Sequence, residues 1–305
     1  MTEQSDATTA GWFSDLAPRN RETDGRGPDT SDSAREAIIQ GHADQPAAWP
    51  ALAVESGYVD SVDDYYDRLH EATIAATRTQ VTARERADDQ QLIHRVRAMD
   101  DCRRTANELA ERLAEWAGAV DDVDGTGVEI ARRIVGGEMA TEDERLESLA
   151  HLIVDLAGEA DALEHDLERR CPSVTPNLAA LAGPVLAARL LSLAGGLEPL
   201  AKKPSGTIQV LGAEDALFAH LRGHAPSPKH GVIYTHDAIR NTVAEDRGSA
   251  ARALAGKLAI AARIDHYSGD HRPDLERELA DRISTIRART ADDSVDADTG
   301  GDPSG

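Results

Sequence analysis

The sequence predicts an all-α protein: an antiparallel coiled-coil hairpin followed by a compact helical domain, between disordered tails. Three observations carry this. Aromatic residues are only 3% of the 305, and Ala and Leu supply most of the apolar content. That composition suits packed helices better than a β-sandwich. Two long runs repeat apolar residues at heptad spacing. Residues 1–35 and 290–305 are polar and aperiodic, as solvated tails are.

The elements follow in order. Within the first tail, Trp12 and Phe13 form an isolated apolar pair, read as incidental or as a small docking hook. Residues 36–88 form a short N-terminal helical region, with a helix over 60–88. Residues 89–171 form the hairpin. Its first arm carries Leu92, Val96, Met99, Ala106, Leu109, Leu113 and Trp116. A break at Asp121–Gly127 precedes a short helix around Glu129–Val135, ended by Gly136–Gly137. Thr141 and Glu144 have the spacing of a capping box for the second arm, which carries Leu146, Leu149, Ile153, Leu156, Ala160, Leu163 and Leu167. Two seams joined by a short connection pair antiparallel, with arms of roughly 35 Å at ~1.5 Å per residue. Leu92, Val96, Met99, Leu146, Leu149, Ile153 and Leu156 are the candidate dimerisation contacts. Cys171–Pro172 closes the hairpin. The compact domain, 172–289, starts with a nearly all-apolar helix over 177–194, stopped by Gly195–Gly196. Further helices are expected at Ala213–Arg222, Arg247–Tyr267 and Pro273–Arg289, with a loop between Gly223 and Asp237.

The formal net charge is −22, which at first argues against a polyanion partner. The distribution changes that reading. The only four lysines are Lys202, Lys203, Lys229 and Lys257, and residues 202–263 hold nine Lys/Arg against five Asp/Glu. A basic module sits in an acidic protein, as adaptation to a salt-rich cytoplasm would leave it.

Several chemistries find no motif. Cys102 and Cys171 make no CxxC pair and read as reduced cysteines of a cytosolic protein. No GxxxxGK[ST] or GxSxG occurs, and Gly125–Ile130 lacks the third glycine of a dinucleotide fingerprint. His70–Glu71 lacks the second histidine of HExxH. His220, His224, His230 and His236 have no acidic or Cys companions and adjoin lysine, so no metal or cofactor is expected. The N-terminus lacks the charge and apolar core of a signal peptide. Leu178–Leu193, interrupted by Pro184 and Arg189, is too short and broken to span a bilayer, so no membrane association is expected.

Three blocks now identify a resemblance: TIQVLGAEDALFAHL (Thr207–Leu221), PKHGVIYTHDAI (Pro228–Ile239) and RGSAARALAGKLAIAARIDHYSG (Arg247–Gly269). In this order and spacing they resemble the Nop-domain family, which includes archaeal box C/D ribonucleoprotein core proteins and their nucleolar and spliceosomal relatives. Pro176–Thr207 and Ala87–Trp116 resemble the segment leading into that domain and its coiled-coil arm. The match runs from about Asp64 to Arg289. The resemblance implies an RNA-binding scaffold and no enzyme. It implies a kink-turn RNA, such as a box C/D guide, gripped jointly with a small ribosomal-protein-like kink-turn binder. It also implies a homodimer through the coiled coil and docking of fibrillarin, the ribose 2′-O-methyltransferase, on an N-terminal region that is reduced here.

The residues agree. Lys229, His230 and Gly231 lie in a Pro-preceded loop suited to close approach of a backbone. Arg222, Arg247, Arg252 and Lys257 offer charge to phosphates, and Tyr234 could stack on a base or fill the core. Gly212, Ala213, Glu214, Leu217 and Phe218 are the candidate partner surface, although Phe218, flanked by Leu217 and Leu221, fits the core better than RNA. Arg252 and Arg263 could instead pair with Glu214 or Asp265. Where the family has GAEK and then ALFR, this chain has Asp215 and Ala219, and two positive charges are lost. Two other functions fit the same residues: a fibrillarin-independent Nop-domain RNA-binding protein, or a coiled-coil assembly protein with a degenerate Nop domain.

Overall fold

The computed structural model describes residues 11–14, 16, 28–41, 47–119, 125–139 and 141–298, with backbone alone for 28–31 and 290–298. Among them there is no strand. Residues 1–87 form one unit and residues 88–305 another.

The first unit holds α1 (Pro28–Gln40), α2 (Trp49–Glu55) and α3 (Val62–Arg86). Ser61 caps α3, its Oγ accepting from the Asp64 amide at 3.1 Å, with Asp63 and Asp64 in the first turn. The core is aromatic. Phe13 stacks on Tyr58 at 5.4 Å, and Trp12 Nε1 donates to the Tyr65 hydroxyl at 3.3 Å. The Trp12–Phe13 pair is therefore neither incidental nor a free hook: Phe13 is buried in this core. The expected tail over 1–35 is corrected in the same way, because α1 starts within it. Rings recruited from distant positions leave no local periodicity, so the polar flanks hid them. The rest of that tail lies outside the described residues.

The second unit opens with α4 (Asp88–Gly118), α5 (Gly127–Val135) and α6 (Glu144–Val174). Arg95 pairs with Asp166 and Arg103 with Glu164 and Asp161, so partner numbers fall along α6 as they rise along α4. The arms are antiparallel, and the seam positions face inward, with one exception. Trp116 is 40% exposed, because Ala117 and Leu113 fill the space at that level. Helix α5 caps the tip, packing Ile130 and Ile134 against Leu113, Leu146 and Ile153. Gly127 permits this, since a Cβ there would stand 2.1 Å from the Ala110 carbonyl oxygen. The break at Asp121–Gly127 falls largely outside the described residues. The N-cap of α6 is Asp143, whose carboxylate accepts from the Arg145 and Leu146 amides at 2.9 and 3.4 Å. Thr141, expected in that role, instead takes the Asp143 amide. Pro172 lies inside α6, which ends only at Val174.

The apolar run 177–194 is two helices, α7 (Pro176–Ala182) and α8 (Pro184–Ala194), bent by 115°. Gly183 sits at φ +79° between them, and the proline after it disfavours helical geometry. No described helix is long and apolar enough to cross a membrane; the bent pair has the composition, and much of its surface is core. Next come α9 (Leu197–Lys202), α10 (Ser205–Val210), α11 (Glu214–Leu221), a 3-10 turn Val232–Thr235, α12 (Asp237–Arg240), α13 (Arg247–Tyr267) and α14 (Asp274–Asp298). Helix α14 continues past residue 289, into the segment expected to be a tail.

Helix α13 is the hub of this unit, touching α7, α9, α10, α12 and α14. Its alanines let these helices approach closely, and Leu254 and Leu258 are fully buried, each stabilising by about 1.5–3 kcal/mol. Asp265 near its end caps α7: the carboxylate accepts from the Asn177 and Leu178 amides and from Asn177 Nδ2 at 2.7–3.0 Å. Asp265 is thus committed to a helix N-terminus and does not pair with Arg263. The root of the hairpin joins this core through Leu92, Val96, Met99 and Leu167.

That burial bears on the dimer contacts. Leu92, Val96, Met99, Leu146 and Ile153 are at most 2% exposed within one chain, and Leu149 and Leu156 are partly buried. They close the hairpin and its root, so a second copy would meet other side chains.

Candidate nucleic-acid interface

Five of the residues singled out for RNA meet at one place. The loop Lys229–Gly231 is pinned to the end of α10. Gln209 Nε2 donates to the Lys229 carbonyl at 2.8 Å, the Gly231 amide to the Gln209 carbonyl at 2.9 Å, and the Val232 amide to the Leu211 carbonyl at 2.8 Å. Gly231 is required by space: a Cβ there would stand 2.1 Å from the Leu211 oxygen. The 3-10 turn that follows is anchored by buried Ile233 and carries Tyr234 back over the loop. His230 stacks on Tyr234 with centroids 4.5 Å apart, and the Arg247 guanidinium lies 5.5 Å from the same ring. Lys229 runs over the start of α13, 3.7 Å from where a Gly248 Cβ would be. Tyr234, open between core and contact in the sequence, is half-buried with its ring in this cluster.

The supports are conventional. Arg247 Nε donates to the Thr242 carbonyl at 3.0 Å, holding the guanidinium at the ring. Arg287 of α14, which sequence reasoning missed, donates to Thr242 Oγ1 and to the Asp237 carbonyl at 3.1 and 3.0 Å. His236 is spent on structure: Nδ1 accepts from the Ala238 amide, and Nε2 donates to the Leu181 carbonyl at 2.9 Å. Burial pushes its pKa down. The pKa of His230 is also lowered, first by burial and then by the positive charge of Arg247 and Lys229. A phosphate arriving here would reverse that electrostatic pressure.

The other cations stand apart. Lys257 pairs with Glu278 of α14 and keeps 22% of its side chain exposed. Arg252 is exposed on α13, and Arg222 is exposed at the end of α11. Arg263 donates to the Lys203 carbonyl at 3.3 Å.

The candidate partner surface adjoins the cluster. Gly212, at φ +82°, donates its amide to Glu214 Oε1 at 2.9 Å, and a Cβ there would stand 3.4 Å from Val232 Cβ. Helix α11 then leaves the core altogether and buries no residue. Phe218 is 57% exposed and Leu221 71%. The expectation that Phe218 is core is therefore overturned, and Leu221, not singled out from the sequence, is the most exposed of the large apolar side chains described. Acidic Glu214 and Asp215 occupy the first turn, where they suit the helix dipole.

Among the described residues no three His, Cys, Asp or Glu gather as a metal site requires. The Cys171 thiol is pushed up to about 11 by burial, the opposite of what a nucleophile needs.

The Nop family model, described as a snoRNA binding domain, matches residues 87–286. A NOP5 family protein of Methanocaldococcus jannaschii is 35% identical over 274 residues, covering 77% of this chain and 66% of that protein. Nucleolar protein 58 of Scheffersomyces stipitis is 37% identical over 162 residues, covering 51% of this chain and 32% of its own length. The chain thus spans about two thirds of the archaeal relative and one third of the fungal one. The crystal structure of a fibrillarin/Nop5p complex is similar in fold, with a TM-score of 0.51 at 24% identity over 90% of this chain and 98% of that one. With two thirds of its length matched by the family model and the all-α architecture in place, the chain belongs to the Nop family of snoRNA-binding-domain proteins.

Proposed function

We propose that the chain is a non-catalytic scaffold of a box C/D ribonucleoprotein. It grips a kink-turn RNA jointly with a small kink-turn-binding protein and supports ribose 2′-O-methylation by fibrillarin. The observation that carries this reading is the adjacency of two unlike surfaces. The Lys229–His230–Tyr234–Arg247 cluster offers cations and stacked rings to RNA, and the bare apolar face of α11 begins beside it, at Gly212 against Val232. RNA alone would leave Phe218 and Leu221 without a partner, and a protein alone would leave the basic loop without one. A composite surface of RNA and bound protein uses both. The reading gives self-association to exposed outer residues of the hairpin, such as Leu152 and Trp116, because the seam is closed within one chain.

The acidic balance sharpens the mechanism. In concentrated salt, affinity from counterion release collapses, by about one power of salt concentration per phosphate neutralised. Stacking, hydrogen bonds and the partner's surface then carry the affinity. The test measures binding at molar salt to a box C/D guide RNA, bare and loaded with its kink-turn protein. Tight binding to the loaded RNA and weak binding to the bare one is expected, with Lys229→Ala and His230→Ala each weakening the former. Equal binding to both would refute the composite surface.

A further inference from the structure

The basic cluster is one end of a longer exposed stripe, whose far end is also basic and aromatic. Lys229 lies over Gly248, and one turn further along α13 stands Arg252. Arg252 and Arg263 are eleven residues apart, about three turns, and point within ~20° of each other. Between them Gly256 leaves open space, with nothing within 4 Å of a Cβ. One turn beyond Arg263 is Tyr267, 70% exposed, with His266 edge-on to its ring at 4.5 Å. Arg263 donates to the Lys203 carbonyl, which brings the junction of α9 and α10 beside this end. Lys202 pairs with Glu198 at 2.6 Å and still exposes 60% of its side chain. The Lys202 pKa is raised, chiefly by its Glu198 partner and least by the Tyr267 phenol. Two of the four lysines of the chain, an arginine and a bare ring therefore gather here.

Nothing in folding calls for this arrangement. Tyr267 buries little, and an exposed ring flanked by cations is the arrangement that stacks an unpaired base while holding its phosphates. Along the helix at ~1.5 Å per residue, Arg247 lies ~24 Å from Arg263 and ~30 Å from Tyr267, the reach of a few nucleotides.

We propose that Lys202, Lys203, Arg263 and Tyr267 form a second RNA subsite, which takes an unpaired nucleotide strand leaving the structured RNA held at Lys229–Tyr234, with Arg252 contacting the backbone between them. The proposal rests on the RNA-binding reading above, and its test separates the two. The full chain is titrated with a kink-turn hairpin loaded with its kink-turn protein, with and without a single-stranded oligouridine extension. The extension is expected to tighten binding by about tenfold, the scale of one stacked base. Tyr267→Ala, and separately the pair Lys202→Gln with Lys203→Gln, should abolish that gain and leave affinity for the unextended hairpin unchanged. Lys229→Ala should weaken both RNAs alike. A thermal melt of each variant checks the fold, which the exposed Lys202 and Tyr267 and the half-buried Lys203 should leave intact. No gain from the extension, or a gain that survives both variants, overturns the subsite alone. Failure of wild-type protein to bind either RNA overturns the subsite together with the reading beneath it.

Discussion

Helices α13 and α11 belong to the same unit and to adjacent motif blocks, yet one is built inward and the other outward. Helix α13 buries nine residues and α11 none. The alanines and leucines of α13 are satisfied by five neighbouring helices within the chain. Among the described residues, Phe218 and Leu221 of α11 are left 57% and 71% exposed, and Leu217 is only half-buried. Hydrophobic residues in a helix therefore mean different things at the two places: at α13 they build the core, and at α11 they stand exposed, as the proposed partner surface requires.

The comparison breaks most visibly at Asp265. Replacing it with Ala removes the acceptor of three hydrogen bonds at the α7 N-terminus and leaves buried donors unpaired. About 3 kcal/mol or more of stability should be lost, read from denaturant unfolding of the full chain. An unchanged midpoint would remove α13 from its role as the hub.

Gly231→Ala comes next. Its Cβ would press on the Leu211 carbonyl, so the loop must shift or strain by about 1–3 kcal/mol. Affinity for loaded RNA should fall more than the melting temperature does, because Lys229 and His230 move with the loop. A variant that binds like wild type would show that the placement of the loop is immaterial.

Acidification should act more gently. His230 and His236 both have pKa values lowered in the folded chain, so the unfolded chain takes up protons first. Their contribution is complete above the unfolded value of about 6.5 and is lost as pH falls through it towards the lower folded values. The melting temperature should drop between pH 7.5 and 5, and His236→Ala should flatten that slope. A slope unaffected by the substitution would assign the titration elsewhere.

The sequence made the inward half of the molecule readable, because burial leaves a period. The two seams, the short helix at the tip and α13 all follow from spacing. What a period does not record is whether anything lies opposite. Phe218 between Leu217 and Leu221 looks like core for that reason, and only its exposure in the fold reveals otherwise. The same limit explains Lys257, whose partner Glu278 is on another helix, and Trp12–Phe13, whose partners Tyr58 and Tyr65 are far along the chain. The bend at Gly183–Pro184 was legible in the dipeptide, but the strongly apolar run on both sides of it suggested a single helix. The basic cluster was legible from the placement of the lysines. Its geometry was not, since Tyr234 and Arg247 meet only through the Thr242 carbonyl and the loop pinned to α10.

Phe218→Asp should disturb folding least and binding most, and it tests the outward reading of α11 directly. The side chain is 57% exposed, so the melting temperature should match wild type, with a stability change within about 0.5 kcal/mol. At molar salt, affinity for guide RNA loaded with its kink-turn protein should fall by about tenfold or more, because a charge would enter an apolar contact. Wild-type affinity, or a melting temperature several degrees lower, would contradict the account: the first would leave α11 without a partner, and the second would return Phe218 to the core.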